Sequence, residues 1–386
     1  MRVFLIAGEA SGDRLGAALM EGLRSLCAGV GFDGVGGPLM QQQGLVSRFP
    51  MAELSVMGLA EILPKYRSLK RRIRQCAQAV LATRPDVLIT IDSPDFGLRV
   101  ARLVRDQWPD APTVHYVAPS VWAWRSGRAA RMARVIDHVL AILPFEPPLM
   151  QAAGLSCDFV GHPVVSEARA DAAQAAAFRA AHGMDADTPL LMLLPGSRRG
   201  EVTRLGPRFG AAAGLLRDRH PGLRVVVPVV PHLAQAVAGL AADWPLVPVL
   251  VQDAADKRAA FAAADLALAA SGTVSLELAA NDVPMVIGYD AAWLTRVIVQ
   301  AMLKVDTVTL VNLVSDTRAV PEYIGPDCTP TVLAQALSRL LDDPAARQAQ
   351  AMAAQLTMNR LGRGGEAPGL RAARSVLGYL ARRGQA

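Results

Sequence analysis

DVLITIDSPDFG, Asp86 to Gly97, runs five strand-forming residues into an aspartate, a serine and a proline. An unbroken run like Val87 to Ile91 is the signature of a strand buried on both faces of a parallel sheet. It delivers Asp92 to the point where strand gives way to loop. In open α/β sheets ligands bind beyond the carboxyl ends of the strands, so a carboxylate released there faces substrate. Aspartate is ionised at neutral pH and can take a hydroxyl proton as a new bond to that oxygen forms. The competing reading is local: Asp92 caps the helix starting near Pro94, with Asp95 in its first turn.

The surrounding chain has 386 residues and 52% hydrophobic content, more than one core holds comfortably, so two domains are expected. Lys and Arg outnumber Asp and Glu by 40 to 34. That excess is mild where a nucleic-acid binder would concentrate it in aromatic-interleaved patches; one concentrated patch stands out, at Lys65 to Arg74, and no nucleic-acid partner is expected. Cys27, Cys76, Cys157 and Cys328 are too scattered for a zinc site or a disulfide framework and read as reduced thiols. The opening MRVFLIAGEASGD is cut short by Gly8 and Glu9, which makes it a first strand and not a secretion signal. No apolar run reaches the ~18 residues that span a bilayer, so the expected location is cytoplasmic, with any membrane contact peripheral.

Upstream of Asp92, Arg2 to Ala7 reads as a buried strand and Gly8 to Asp13 as a glycine loop opening a helix to about Leu26. The loop is not the G-x-G-x-x-G of dinucleotide sites. Glu9 and Asp13 set carboxylates where an anion would sit, which favours a hydroxyl-rich ligand such as a sugar; alternatively Ser11 is an N-cap and Asp13 a dipole partner. Further on, Lys65, Arg67, Lys70, Arg71, Arg72 and Arg74 crowd ten residues with Tyr66, Leu69 and Ile73 among them. A basic helix with an apolar edge suits an anionic membrane surface, and a solvated helix face is the plainer reading.

Downstream, Thr113 to Val117 is a strand running into HYVAPSVWAWR. Trp122 and Trp124 suit a sugar face or plain packing, and Arg125 suits a phosphate. Asp137 to Leu143 is a further strand, and His162, beside Pro163, reads as a hinge residue. A second strand-loop-helix series follows. Pro189 to Leu194 leads into Pro195-Gly196-Ser197-Arg198-Arg199, whose amides and arginine form an anion pocket at a helix start. Strands at Leu223 to Val229, Leu246 to Val251 and Asp265 to Ala269 alternate with helices and predict another parallel sheet. Ser271, Gly272 and Thr273 repeat the pattern, with Glu277 one turn deeper on the same face. Phosphate at the terminus and a carboxylate for a vicinal diol fit a nucleoside diphosphate; a cap with Glu277 in a surface ion pair is the alternative. Asn312, an amide among apolar residues, is expected to face the cleft. Asn359 to Gly365 reads as a linker and Glu366 to Arg382 as a helix.

A carboxylate in one α/β half and phosphate chemistry in the other describe the GT-B glycosyltransferase architecture, two Rossmann-like parallel-sheet domains facing a cleft. The chain resembles the lipid-A-disaccharide synthase family, through AGEASGD (7–13), IDSPDFG (91–97), HYVAPSVWAWR (115–125), LPFE (143–146), VGHP (160–163), LPGSRRGEV (194–202), ASGTVSLE (270–277) and VNL (311–313). The resemblance implies inverting transfer of 2,3-diacylglucosamine from its UDP donor to the 6-hydroxyl of 2,3-diacylglucosamine 1-phosphate. It implies Asp92 as base, Arg198 on the departing diphosphate, Glu277 on the ribose, and Glu9, Ser11 and Asn312 lining the cleft. It also implies C-terminal helices that exchange between two subunits.

The expected domains are 1–164 for the acceptor and 165–345 for the donor, with 346–386 packing back on the first or on a partner. No cofactor is expected, because UDP is part of the donor, and no obligatory metal, because Arg198 and the amides near Ser271 to Thr273 would supply the leaving-group stabilisation. A UDP-sugar epimerase on the same scaffold is the rival enzyme, and a nucleotide-sugar-sensing or membrane-scaffolding protein the non-enzymatic one.

Overall fold

The computed structural model describes residues 1–54, 59–122, 127–290 and 306–384. They form two units, Met1–Ser166 with Gly364–Ala386, and Glu167–Arg363.

The first unit is built on a fully parallel sheet in the order β2-β1-β3-β4-β5-β6. Its strands are β1 (Arg2–Ala7), β2 (Gly31–Val35), β3 (Val87–Ile91), β4 (Thr113–Tyr116), β5 (His138–Ala141) and β6 (Ser156–Phe159). The helices are α1 (Ala10–Leu26), α2 (Pro38–Gln42), α3 (Leu59–Thr83), α4 (Pro94–Arg105), α5 (Gly127–Met132) and α6 (Glu146–Gln151). All five residues of β3 are buried, as its sequence requires. Strand alternation divides the apolar side chains between two faces. Phe4, Ile6 and Leu88 meet Ile73, Cys76 and Val80 of α3 and Val100 and Val104 of α4. Val3, Leu5, Val87 and Ile89 meet Leu15, Leu19 and Leu23 of α1 and Ala372, Ala373 and Val376 of the C-terminal helix, Pro368–Gly384. Ala7 pairs with Ile91, so the loops after β1 and β3 leave the sheet at one level. β1 is also where the strand order reverses, the position at which open α/β sheets gape for a ligand.

The second unit repeats the plan with strands in the order β12-β11-β10-β7-β8-β9, again parallel. These are β7 (Leu190–Leu194), β8 (Arg224–Pro228), β9 (Val249–Val251), β10 (Leu266–Ala269), β11 (Met285–Tyr289) and β12 (Glu322–Ile324). Helices include α7 (Ala172–Ala181), α8 (Arg199–Arg219), α9 (Ala234–Ala241), α10 (Ala254–Ala263) and α11 (Val274–Ala280). The reversal now lies between β7 and β10, where Leu194 pairs with Ala269.

The C-terminal segment departs from expectation. A cut at 346 does not separate it, because the helix Pro344–Arg360 stays with the second unit. Gln350 explains this: its side chain accepts from Met285 N (2.8 Å) and donates to Met285 O (2.9 Å), completing hydrogen bonds at the start of β11. Only the helix from Pro368 returns to the first unit. Its seat on α1 is a glycine contact, since a Cβ on Gly22 would come within 2.6 Å of the Gly369 carbonyl oxygen. Tyr379 then stacks on His138 and donates to Asp137 (2.7 Å), while Ser375 donates to Asp158 (2.6 Å).

Gly22→Val should therefore lower the thermal midpoint by several degrees, since overpacking of this kind costs about 1–3 kcal/mol. Gly378→Ala, which meets only the flexible end of Arg382, should leave the midpoint unchanged or slightly higher. Thermal melts followed by circular dichroism check both.

Candidate active site

Asp92 and Ser93 both adopt left-handed backbone, with φ of 51° and 40°. For residues with a Cβ this strain costs on the order of 1–3 kcal/mol each, and it is found where a site demands it. The Asp92 amide still donates to Tyr116 O (2.9 Å), so the turn begins immediately beyond the sheet ladder. Its carboxylate accepts from Ser93 N (2.9 Å) and from Ser11 Oγ (3.1 Å). The capping alternative fails. Ser93 holds the N-cap position of α4 without a side-chain bond, and among the described residues no amide within that helix donates to Asp92.

The glycine loop after β1 divides its labour. Glu9 sits with Asp92 on the wall of one cavity of about 640 Å³. Ser11 lies in the first turn of α1 and aims Asp92. Asp13, expected either to repel an anion or to serve the α1 dipole, is instead buried and accepts from Gly37 N (2.9 Å), Leu39 N (3.0 Å) and Met40 N (3.0 Å). It clamps the start of α2.

The rest of that cavity is what the motifs do not reveal. Leu54, Leu69, Ile73, Phe96 and Leu103 make an apolar wall, and Lys70, Arg74, Arg99 and Arg102 a cationic rim. Generic aliphatic residues carry no motif, and only the helical spacing of Leu69 and Ile73 hints that they share a face.

The basic stretch on α3 splits. Arg67, Lys70, Arg71 and Arg74 are exposed and have no carboxylate within ion-pairing distance among the described residues. Arg72, expected to face a membrane, turns inward: it pairs with Glu53 at 2.7 Å and stacks 4.4 Å from the Phe49 ring centroid. That commits its charge to its own unit. The side chain of Lys65, and Trp124 and Arg125 altogether, lie outside the described residues.

Trp122 stands edge-on to Phe145, with centroids 5.4 Å apart, and donates to Glu146 (3.4 Å), the packing alternative for this residue. Glu146 is 2% exposed; burial pushes its carboxyl up to about 7 while the Leu143 amide (2.9 Å) holds it in place. His162 and His115 are buried too, and burial lowers both imidazoles to about 4.

In the second unit the two anticipated loops meet. Gly196, Ser197 and Arg198 after β7, and Ser271, Gly272 and Thr273 after β10, line one cavity of about 510 Å³ with Glu277. Gly196 has φ of 116° and a Cβ there would collide with Glu201, so glycine is required. The amides of Ser197 (3.1 Å) and Arg198 (3.3 Å) donate to Glu201 Oε2, and the Arg198 guanidinium lies 3.2 Å from Oε1. The anion pocket thus exists and a carboxylate of the same chain rests in it. Glu277 lines the cavity and is also paired, to Lys257 on α10 (2.8 Å), whose ammonium lies over the Phe261 ring. Neither Glu201 nor Lys257 is marked out by the sequence as a site residue.

Asn312 is a correction. It sits in the helix Leu310–Ser315, 1% exposed, donating to Val320 O (2.9 Å) and Glu322 (3.1 Å) and accepting from Val320 N (3.0 Å). Both amide atoms are engaged in tying that helix to the approach to β12.

With this geometry in hand, the family model described as lipid-A-disaccharide synthetase matches residues 3–368. The chain belongs to that family. It is similar to the lipid-A-disaccharide synthase of Ruegeria pomeroyi, 65% identical over 98% of this chain and 96% of the relative. That of Rhodospirillum centenum is 49% identical over 99% and 95%. Among solved structures, UDP-GlcNAc 2-epimerase from Neisseria meningitidis bound to UDP-GlcNAc superposes with TM-score 0.65 at 11% identity, covering 99% of this chain and 100% of that one. MurG from Acinetobacter baumannii gives 0.56 at 16%, covering 100% and 99%. At such identities these two speak for the fold alone, which is GT-B. The family relatives make the chain a glycosyltransferase of lipid A biosynthesis and leave the epimerase reading with a likeness of fold.

Glu146 makes stability pH-dependent. Between pH 4.5 and about 7 the folded chain keeps a proton that the unfolded chain has released, so this residue's contribution falls as pH rises, by on the order of 3 kcal/mol in all. His115 and His162 act oppositely, losing stability as pH falls from 6.5 toward about 4. Urea unfolding of wild type and Glu146→Gln at pH 5 and pH 8 isolates the glutamate: the variant should gain on the wild type at the higher pH.

Proposed function

We propose that the chain transfers 2,3-diacylglucosamine from UDP to the 6-hydroxyl of 2,3-diacylglucosamine 1-phosphate, with inversion, giving the β-1,6 disaccharide 1-phosphate and UDP. The observation that carries this is the Asp92 cavity. A strained, doubly hydrogen-bonded carboxylate shares one cavity with an apolar wall of Leu54, Leu69, Ile73, Phe96 and Leu103. A base for a hydroxyl beside room for hydrocarbon fits an acylated sugar and has no purpose for a free one.

In this reading Asp92 removes the hydroxyl proton as the acceptor oxygen bonds to the anomeric carbon, and the bond to the UDP oxygen breaks. Arg198, Lys257 and the amides of Ser271 to Thr273 take up the charge left on UDP. The diphosphate competes with Glu201 for the amides of Ser197 and Arg198, and Glu277 binds the ribose. Glu9 and Ser11 flank the acceptor. Neutralisation by these cations leaves no step that calls for a metal.

Asp92→Asn should lower turnover by at least 100-fold while UDP binding, measured by calorimetry, stays within twofold. A near-normal rate in the variant would falsify the base assignment. Donor consumed without acceptor would instead favour epimerisation, the reaction named for the Neisseria meningitidis neighbour.

The substrates imply work at the cytoplasmic surface of the inner membrane, and among the described residues no helix is long and apolar enough to cross one. Arg67, Lys70, Arg71 and Arg74 would make the contact, at roughly 1 kcal/mol each near an anionic surface. Arg67→Gln with Arg71→Gln should weaken co-sedimentation with phosphatidylglycerol vesicles several-fold, and Arg72→Gln should change stability more than binding. Exchange of the helix Pro368–Gly384 between two copies belongs to the same proposal, supported by a seat on α1 that a second chain's helix could fill equally.

A further inference from the structure

The acceptor carries an anomeric phosphate, and a dianion entering an apolar cavity needs cations to replace its water. A second cavity, about 290 Å³, shares Pro94, Asp95, Arg99 and Arg102 with the Asp92 cavity and adds Arg128 and Arg131 from α5. Three of these arginines are uncommitted. Arg105, one turn beyond Arg102, is consumed by Asp137 and Thr113, whereas Arg99, Arg102 and Arg131 are exposed and have no carboxylate within ion-pairing distance among the described residues. Among those residues, Asp95 is the one acid on the wall of this second cavity. Arg99, Arg102 and Arg131, gathered without ion pairs of their own among those residues, repel one another, and a bound dianion relieves that repulsion.

Placement and shape agree. Asp95, Arg99 and Arg102 follow i, i+4, i+7 spacing and share a face of α4 that begins at the Asp92 turn. At a rise of ~1.5 Å per residue, Arg99 lies about 7–8 Å along α4 from Pro94, the helix start that follows the Asp92 turn, a separation on the scale of a sugar phosphate. Planar guanidinium forks match phosphate oxygens in pairs, which lysine does not.

We infer that Arg99, Arg102 and Arg131, with Arg128 beside them, form a phosphate-monoester site that holds the acceptor's anomeric phosphate while its hydroxyl lies at Asp92. The assignment rests on the acylated acceptor proposed above, so its test includes a measurement that needs no turnover.

The test compares wild type with Arg102→Gln/Arg131→Gln, both exposed positions. With the phosphorylated acceptor the variant should raise the acceptor KM at least tenfold and leave the donor KM unchanged. With 2,3-diacylglucosamine lacking the phosphate, the two proteins should agree within twofold. Equal losses on both acceptors, or a raised donor KM, overturn the site. Inorganic phosphate titrated against each protein and followed by phosphorus NMR should bind wild type at least tenfold more tightly than the variant. That result supports the site even if no disaccharide forms, in which case the acceptor reading alone has failed; equal binding overturns the site. Vesicles containing phosphatidic acid separate a lipid headgroup from a substrate phosphate. Undiminished co-sedimentation of the variant supports the substrate, and lost co-sedimentation with an unchanged acceptor KM overturns that assignment.

Discussion

Two parallel pairings position everything that follows. Ala7 is held opposite Ile91, and Leu194 opposite Ala269, so in each sheet two strands side by side release their loops at the same level. Side-chain direction alternates along a strand, and a slip of one residue at either pair would turn the loop residues to the wrong face. At β1 and between β7 and β10 the connections also diverge to opposite sides, which opens the space that the loops then line. Asp92 with Glu9, and Gly196 with Gly272, are therefore neighbours by backbone hydrogen bonding before any side chain is considered. The residues at these four exits vary in chemistry, but the exits themselves are a consequence of sheet order.

That dependence explains what is legible in the sequence and what is not. Strands such as Val87 to Ile91 and Leu190 to Leu194 are legible because burial on both faces demands continuous apolar residues. The glycine-rich exits are legible because left-handed backbone, as at Gly196 and Gly272, selects glycine. Partners distant in sequence are not. Asp13 reads as a site residue until Gly37, Leu39 and Met40 supply three amides, and Asn312 until the Val320 amide donates to it and the Val320 carbonyl and Glu322 carboxylate accept from it. A polar residue in a loop motif and a polar residue stapling the fold have the same composition. Only the location of its hydrogen-bond partners distinguishes them.

Burial and the origin of their donors separate the carboxylates that remain. Asp13 and Glu146 are buried and surrounded by donors of their own unit, so their role is to hold backbone in place. Asp92 has two donors among the described residues, Ser93 of its own turn and Ser11 of the first turn of α1, and retains accepting capacity on a cavity wall. Glu201 is intermediate. It fills amides that the loop geometry would equally offer to a phosphate, and an arginine as exposed as Arg198 can follow either anion. A nest that keeps its own counter-charge avoids leaving backbone donors unpaired, and it discriminates by requiring a ligand to bring more charge than one carboxylate.

Cations divide in a similar way, between those paired within their own unit and those left for a substrate. Arg72 and Arg105 lie on the same helices as Arg71 and Arg102, yet each is tied to an acid of its own unit, Glu53 and Asp137. Their neighbours are not, although acids are plentiful enough in this chain, with 34 against 40 basic residues, to pair most of them. An exposed ion pair contributes little to stability, so leaving these positions unpaired costs the fold almost nothing. What it preserves is positive potential around a cavity that combines a carboxylate with an apolar wall. A ligand that is at once hydrophobic, hydroxylated and anionic satisfies all three surfaces, and losing any of its three features would leave one of them without a partner.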